Sequence, residues 1–159
     1  MEHTEEVVIR AVTDANWRET LELTARPEQQ RFISEYAPIA AIALAKAFIR
    51  PGGMIWAPYA IYAGGMMVGF FALAYEPDTS NHSWLFHFFI DQRYQGRGYG
   101  RAAMRRIIEM VGQEYPRRRG LQLTVHPENL AAQRLYTAAG FQPTGTERWG
   151  EPVYQLAMR

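Results

Sequence analysis

A glycine-rich turn between two apolar segments is the stretch of the sequence best suited to chemistry. It reads Gln95-Gly96-Arg97-Gly98-Tyr99-Gly100-Arg101, between an apolar run at 84–90 and a helical pattern that continues to about Tyr115. The first N–H groups of a helix have no partner inside the helix, and the helix dipole adds partial positive charge there. Glycine lets the backbone approach an anion closely because no Cβ stands in the way. The turn is therefore predicted to bind a phosphate group.

The glycine spacing narrows the choice of phosphate ligand. A dinucleotide-binding turn has the pattern Gly-x-Gly-x-x-Gly, but Arg101 occupies the place of the third glycine here. A nucleoside triphosphate loop would need a Gly-Lys-Ser/Thr sequence, which the chain lacks. On these grounds alone, an ordinary tight turn remains open as an alternative.

A second pair of polar side chains follows downstream. Asn129 and Tyr136 are separated by about two turns of a helix predicted over 127–140, so they lie on one face of it. An amide can cap the helix or bind polar atoms of a ligand, and a phenol can donate a proton. A half-buried structural tyrosine is the simpler interpretation of Tyr136.

The composition limits the classes of function. A formal net charge of +1 argues against a dedicated nucleic-acid-binding protein, and arginine clusters at 93–106 and 117–119 fit a small phosphorylated molecule better. The absence of cysteine excludes disulfides, a thiolate metal site and a cysteine nucleophile. The most apolar segment, 37–49, is too short to cross a bilayer. We expect a cytoplasmic protein without a metal, a nucleic-acid partner or a membrane partner.

The hydrophobic patterns predict the elements that must position these groups. Strands are predicted at 7–12, 54–63, 66–75, 84–90, 121–125, 141–148 and 152–158. Helices are predicted from Thr13 or Asp14, from Pro27 with a bend near Pro38, over 102–115 and over 127–140. The order β-α-α-β-β-β-α-β-α-β-β predicts an α/β (α+β, mixed-sheet) fold, in a single domain over residues 1–159.

The two constellations together resemble the GNAT superfamily of N-acetyltransferases. The pattern Gln95-x-x-Gly98-x-Gly100, then Asn129 and Tyr136 before Gly140-Phe141, matches that superfamily in order and spacing over nearly the whole chain. The run Phe89-Ile90-Asp91-x-x-Tyr94-Gln95-Gly96-x-Gly98-Tyr99-Gly100 is most similar to bacterial spermine/spermidine acetyltransferases. The resemblance implies a GNAT-like fold, acetyl-CoA as co-substrate, and direct transfer of acetyl to a primary amine.

The resemblance also implies roles for single residues. Tyr136 would protonate the leaving thiolate, and a splay between strands 84–90 and 121–125 would form the slot for pantetheine. Glu28 and Glu35 are the preferred candidates for the base, with His87, His126 and Glu128 as alternatives. Binding of acetyl-CoA is expected from Phe88, Phe89, Ile90, Gln95, Gly96, Arg97, Gly98, Tyr99, Gly100, Arg101, Asn129 and Tyr136, and Arg93 is a further candidate for pairing with phosphate.

The acceptor amine is the open question. A polyamine is the first expectation, but the family pattern usually has an aspartate at position 86 and an arginine at position 87, where this chain has Phe86 and His87. Strict alternation along 84–90 predicts Trp84, Phe86, Phe88 and Ile90 on one face and Leu85, His87 and Phe89 on the other, with His87 a satisfied, half-buried residue. Aromatic side chains would favour a flatter amine or hold a cation over a ring.

Several other assignments remain open. The acceptor could be an aminoglycoside, an amino acid, a peptide or a protein. The chain could also be a non-catalytic CoA-binding regulatory domain. A homodimer is compatible with the C-terminal hairpin and the aromatic content.

Overall fold

The computed structural model describes residues 5–33 and 38–158. The elements are β1 Val7–Ala11, α1 Trp17–Thr20, a 3₁₀ helix Pro27–Phe32, α2 Ile39–Ile49, β2 Ile55–Ala63, β3 Met66–Tyr75, β4 Ser83–Ile90, α3 Tyr99–Glu114, β5 Gly120–Thr124, α4 Leu130–Ala138, β6 Gln142–Arg148 and β7 Glu151–Ala157. The predicted mixed α/β architecture is confirmed. The first predicted helix is a single turn, and the second predicted helix comprises the 3₁₀ helix and α2.

The seven strands form one mixed sheet in the order β1-β2-β3-β4-β5-β7-β6. All neighbouring strands run antiparallel except β4 and β5, which are parallel. The β2–β3 hairpin turns at Gly64 and Gly65, where φ values of 57° and 79° require the left-handed conformation that glycine tolerates. The one parallel pair lies at the middle of the sheet, where the functional groups converge.

Helices cover both faces of the sheet. The apolar residues of α3 recur at helical spacing, and Ala103, Met104 and Ile107 are buried against one face. On the opposite face, α2 buries Ala40 and Ala43. In the part of the chain that the structure describes, no helix has both the length and the hydropathy needed to cross a membrane.

Strand β4 contains a bulge at His87, and the bulge overturns the predicted strict alternation. Ala72 pairs with Phe86 and Phe70 pairs with Phe89, so two residues of β4 face one residue of β3. His87 takes a φ of 55° to accommodate the extra residue. Beyond the bulge the side chains exchange faces, because alternation has a period of two residues.

The two faces of β4 are therefore not those predicted. Trp84, Phe86 and Phe89 pack on the α2 side, whereas Leu85, Phe88 and Ile90 pack on the α3 side. The prediction that placed Phe88 and Ile90 with Trp84 and Phe86 was wrong, because a sequence pattern carries no sign of the inserted residue.

Candidate active site

The functional groove opens where β4 and β5 separate. The two strands pair only at Ser83 with Leu121 and at Trp84 with Gln122, and they diverge beyond those pairs. This is the splay that the resemblance to the family implies. The groove that fills the gap has a volume of about 490 Å³, within the range of sites for small ligands. It runs from the glycine-rich turn, along β4 and β5, to a chamber under the β6–β7 turn.

The glycine-rich turn forms one end of the groove. Gly96 and Gly98 have φ values of 78° and 84°, and α3 begins directly after Gly98. The earliest α3 N–H with an intrahelical bond is that of Ala102, which donates to the Gly98 oxygen, so the preceding N–H groups are available to a ligand. A Cβ at Gly96 or Gly98 would meet no atom within 4 Å, so open space lies in front of this backbone. The turn therefore fits a phosphate group.

Two polar side chains hold the turn in place. The buried carboxylate of Asp91 accepts hydrogen bonds from the backbone N–H groups of Thr24 and Arg93, both at 2.9 Å, and from Arg93 Nε at 2.8 Å. Burial raises the pKa of Asp91, but the hydrogen bonds from Arg93 and Thr24 outweigh burial and lower it overall. Gln95 Nε2 donates to the Ile90 oxygen at 2.9 Å and to Gln29 Oε1 at 2.8 Å.

The arginines of the turn lie outside the groove. Arg93 is paired with Asp91, so part of its charge is already neutralised. Arg97 and Arg101 are exposed and do not line the groove; Arg97 lies over the Tyr94 ring at 5.8 Å. Contacts from Arg97 and Arg101 to a phosphate remain predictions. Backbone groups, not side-chain charges, form the turn's wall of the groove.

The middle of the groove brings Asn129 and Tyr136 opposite β4. Phe88, Phe89 and Ile90 line one wall, and Leu123 to Val125 line another. Asn129 caps α4 by accepting from the Ala132 N–H at 3.2 Å, and it also lines the groove. Tyr136 is buried, with its ring 6.5 Å from that of Phe88. Burial raises the pKa of Tyr136, so its phenol keeps its proton at neutral pH.

The far end of the groove is the part that we call the acceptor chamber. Its walls come from separate segments of the chain and include Phe32, Lys46, Phe86, His87, Trp149 and Glu151. Phe86 stacks on Trp56 at 4.7 Å between ring centroids, and Trp149 packs against Phe86 at 5.5 Å. Aromatic rings thus replace the acidic side chain that the family pattern would place at position 86.

His87 differs from the satisfied histidine that the sequence predicts. Its buried Nε2 has no hydrogen-bond partner among the described residues. Burial, together with the nearby charge of Lys46, lowers the pKa of His87 to about 4, so the imidazole is neutral at physiological pH. The bulge in β4 points this neutral ring into the chamber, where it lines the wall.

The carboxylates predicted as bases are not gathered in the chamber. Glu28 is exposed and does not line the groove, and Glu35 lies outside the described residues. Glu128 pairs with Arg31 at 2.7 Å on the surface. His126 lines the groove, and its Nδ1 accepts from the Glu128 N–H at 3.1 Å. Glu28 and Glu35 therefore remain predictions.

Three chamber residues were missed by the reasoning from sequence. One feature of the sequence could have drawn attention to Lys46, because it is the only lysine beside 16 arginines. Trp149 follows a predicted strand at a turn, and its exposed ring gives no periodic pattern to detect. Glu151, whose Oε1 accepts from Thr124 Oγ1 at 2.9 Å, belongs to a strand without any motif. Within residues 5–33 and 38–158, no cluster of three or more metal-ligating side chains occurs.

A mixed sheet that splits between two parallel strands, with a glycine-rich helix start at one end of the split, defines an acyltransferase of the GNAT-like type. A model of the acetyltransferase (GNAT) family matches residues 11–141. The chain therefore belongs to the GNAT family and is an N-acetyltransferase of that type.

Individual relatives agree with this assignment. A spermine/spermidine N(1)-acetyltransferase of Bacillus subtilis is 33% identical over 142 residues, which cover 86% of this chain and 88% of the relative. An N-alpha-acetyltransferase RimI of Mycobacterium tuberculosis is 32% identical over 87 residues, covering 54% of this chain and 52% of the relative.

Solved structures share the fold. A spermidine N-acetyltransferase from Vibrio cholerae, in complex with CoA and spermine, has a TM-score of 0.71 at 16% identity, over 94% of this chain and 93% of that one. An acetyltransferase of the GNAT family from Bacillus anthracis has a TM-score of 0.71 at 15% identity, over 98% of this chain and 96% of that one.

Proposed function

We propose that this protein uses acetyl-CoA to acetylate a primary amine by direct transfer in a ternary complex. The observation that carries the proposal is the groove between β4 and β5, which joins the phosphate-binding turn, the buried Tyr136 and the acceptor chamber in one continuous space. A co-substrate and an acceptor can meet in such a space without a covalent acyl-enzyme, and the chain has no cysteine to form one.

The turn and the strand edge would hold the co-substrate. Backbone N–H groups at the start of α3, between Gly98 and Arg101, would bind the pyrophosphate. The backbone of Phe88, Phe89 and Ile90 would bind the pantetheine arm, because β4 lacks a strand partner along this part of its edge. Asn129 would contribute through its amide. Bound acetyl-CoA supplies the activated acetyl group.

Tyr136 would assist departure of the thiol. The amine nitrogen attacks the thioester carbon, a C–N bond forms and the C–S bond breaks, and the proton lost by nitrogen balances the one gained by sulfur. A thiol has a pKa of about 8.5, below that of a buried phenol, so Tyr136 would act by donating a hydrogen bond to the developing thiolate. Its raised pKa keeps that hydrogen in place at neutral pH.

A polyamine is the acceptor class that the names of the relatives favour. Two spermine acetyltransferases of Bacillus subtilis are 33% and 32% identical to this chain over most of its length. Spermidine and spermine are therefore the first acceptors to assay. One structural observation favours a different amine: among the described residues that line the groove, Glu151 is the only carboxylate, and it already accepts a hydrogen bond from Thr124.

The decisive experiment measures release of the CoA thiol across polyamines, amino acids, aminoglycosides, aromatic amines and peptides. A rise in melting temperature with acetyl-CoA is measured in parallel. We expect both a thermal shift and thiol release with at least one amine. A thermal shift without release from any amine would instead identify a non-catalytic CoA-binding domain.

A further inference from the structure

The acceptor chamber contains the only lysine of the chain. Lys46 lies on α2 and lines the chamber, with its Nζ 4.5 Å from the centre of the Trp56 ring. The other 16 basic residues are arginines. Burial lowers the pKa of Lys46. A compact cation is therefore placed inside an enzyme chamber that must receive an amine.

Aromatic rings form apolar walls of the chamber. Phe86 and Trp149 both line it, with an angle of 58° between their planes, and Phe86 also stacks on Trp56 at 22°. Trp149 is 62% exposed, so its ring lies on the solvent side of the chamber and is not part of the core. Such walls suit an aromatic, apolar body and exclude water from it.

His87 offers the chamber one free hydrogen-bond acceptor. Its buried Nε2 has no hydrogen-bond partner among the described residues. In the neutral tautomer that carries its proton on Nδ1, Nε2 presents a lone pair. A buried lone pair needs a donor, and the N–H of an uncharged amine is such a donor.

Few other charged and titratable groups face Lys46 among the described residues. Of the described residues, β4 contributes His87, the β5–α4 connection contributes His126, and β7 contributes Glu151. The 3₁₀ helix and the residue after it contribute the apolar Phe32 and Ile33. Strand β2, against which α2 packs, presents Trp56 to Lys46. Among the described residues of the chamber, Glu151 is the only carboxylate that could offset repulsion between Lys46 and a second ammonium group of the acceptor.

We propose that the chamber accepts a primary amine with an aromatic, apolar body and no second positive charge, and that Lys46 keeps the nitrogen of that amine unprotonated for attack. This proposal rests on the proposed N-acetyltransferase function. A nearby cation and the removal of water both lower the pKa of a bound amine. Only the neutral amine is a nucleophile, so the chamber activates its substrate without a strong base. The N–H of the bound amine donates to His87 Nε2.

The test compares two amines that share one flat body. Phenethylamine carries a single amine, and its analogue with an aminomethyl group on the ring adds a second cation; spermidine is assayed beside them. We expect the wild-type kcat/KM to be about tenfold higher for phenethylamine than for the diamine. A sample labelled only at lysine gives one side-chain resonance, which should shift when phenethylamine binds to the acetyl-CoA-loaded protein.

Variants at position 46 test the role of the charge. Lys46→Met should move the apparent pKa in the kcat profile, which reports the bound state, upward by about one pH unit, and this is a roughly tenfold loss of kcat at pH 7 for phenethylamine. It should also reduce the discrimination against the diamine. Lys46→Arg keeps the charge and should preserve both properties, so it controls for loss of packing.

Each result has a distinct consequence. A wild-type preference for spermidine or the diamine over phenethylamine would overturn this proposal and leave the N-acetyltransferase function intact. Loss of that preference in Glu35→Gln would assign it to the carboxylate of Glu35. An unchanged pH profile in Lys46→Met would also overturn it, as would Lys46→Arg behaving like Lys46→Met. Absence of thiol release with every amine, despite binding of acetyl-CoA, would overturn the proposed function itself and this proposal with it.

Discussion

The two ends of the groove are built from different materials. The co-substrate end uses backbone N–H groups, two glycines with positive φ, and the unpaired edge of β4. The acceptor chamber uses side chains from five separate parts of the chain, such as Lys46 on α2 and Trp149 at the β6–β7 turn. Backbone groups are available in any sequence that keeps the fold, whereas side chains can change one at a time. We therefore expect the fold to determine the co-substrate and the chamber side chains to determine the acceptor.

The largest expected effect lies where the two ends meet. Tyr136→Phe removes the hydrogen bond to the developing thiolate and should lower kcat by about a hundredfold to a thousandfold, the usual cost of losing one hydrogen bond to a developing negative charge. The Kd for acetyl-CoA should stay within about twofold, because the ring is retained. The measurement is steady-state kinetics with binding by calorimetry.

Tyr154→Phe is the matched control, since Tyr154 packs against the same core but does not line the groove. Its kcat should equal that of the wild type. If Tyr136→Phe retains full turnover, the phenol does not assist departure of the thiol.

The second effect concerns the acceptor chamber and its buried histidine. The pKa of His87 lies at about 4 in the folded protein against 6.5 in the unfolded chain, so the unfolded state binds more protons between these values. The stability from the neutral ring is complete above pH 6.5 and is lost as the pH falls toward 4. The loss is at most about 3 kcal/mol.

His87→Gln should flatten this pH dependence. Denaturant unfolding at pH 8 and pH 5 measures it, and the wild type should lose more stability on acidification than the variant. Equal losses in the two proteins would show that His87 is protonated in the folded state.

The third effect concerns the anchoring of the co-substrate end. Asp91→Asn weakens charge-assisted hydrogen bonds to Arg93 and to the Thr24 N–H and should cost about 2 kcal/mol of unfolding free energy. Because folding lowers the pKa of Asp91, its contribution is present above the unfolded pKa and is lost in acid. The exposed Asp14→Asn is the control and should change stability by less than about 0.5 kcal/mol. Comparable stabilities for the two variants at pH 7 would argue against this anchor.

The smallest expected effect separates backbone strain from ligand binding. Gly98→Ala places a Cβ at φ 84°, which costs about 1 kcal/mol of stability, and the methyl group would also stand between the backbone and a phosphate. We expect acetyl-CoA to bind about tenfold more weakly. Gly145→Ala creates the same strain at φ 81° on β6, away from the groove, and should leave binding unchanged. If both variants bind acetyl-CoA more weakly, backbone strain alone explains the loss, and the Cβ at position 98 does not obstruct a phosphate.

The sequence determines most of the co-substrate end. Gly96, Gly98, Asn129 and Tyr136 act within single turns and helices, so their spacing along the chain already fixes their relation in space. Local patterns also predict the order of helices and strands along the chain, whereas the splay between β4 and β5 was implied only by the resemblance to the family. Most features of this end of the groove can therefore be predicted from the sequence.

Only the tertiary structure determines the acceptor chamber. The bulge at His87 inserts one residue into β4 and exchanges the faces beyond it, which no period-two pattern can reveal. Lys46, Trp149 and Glu151 come together because α2 and the C-terminal hairpin meet over β4, and their separation along the chain hides this. The pKa of His87 depends on burial and on the charge of a residue from another element. Contacts between distant segments leave no pattern in the local sequence. They form because the sheet brings those segments together, and the neighbours of a residue along the chain do not determine them.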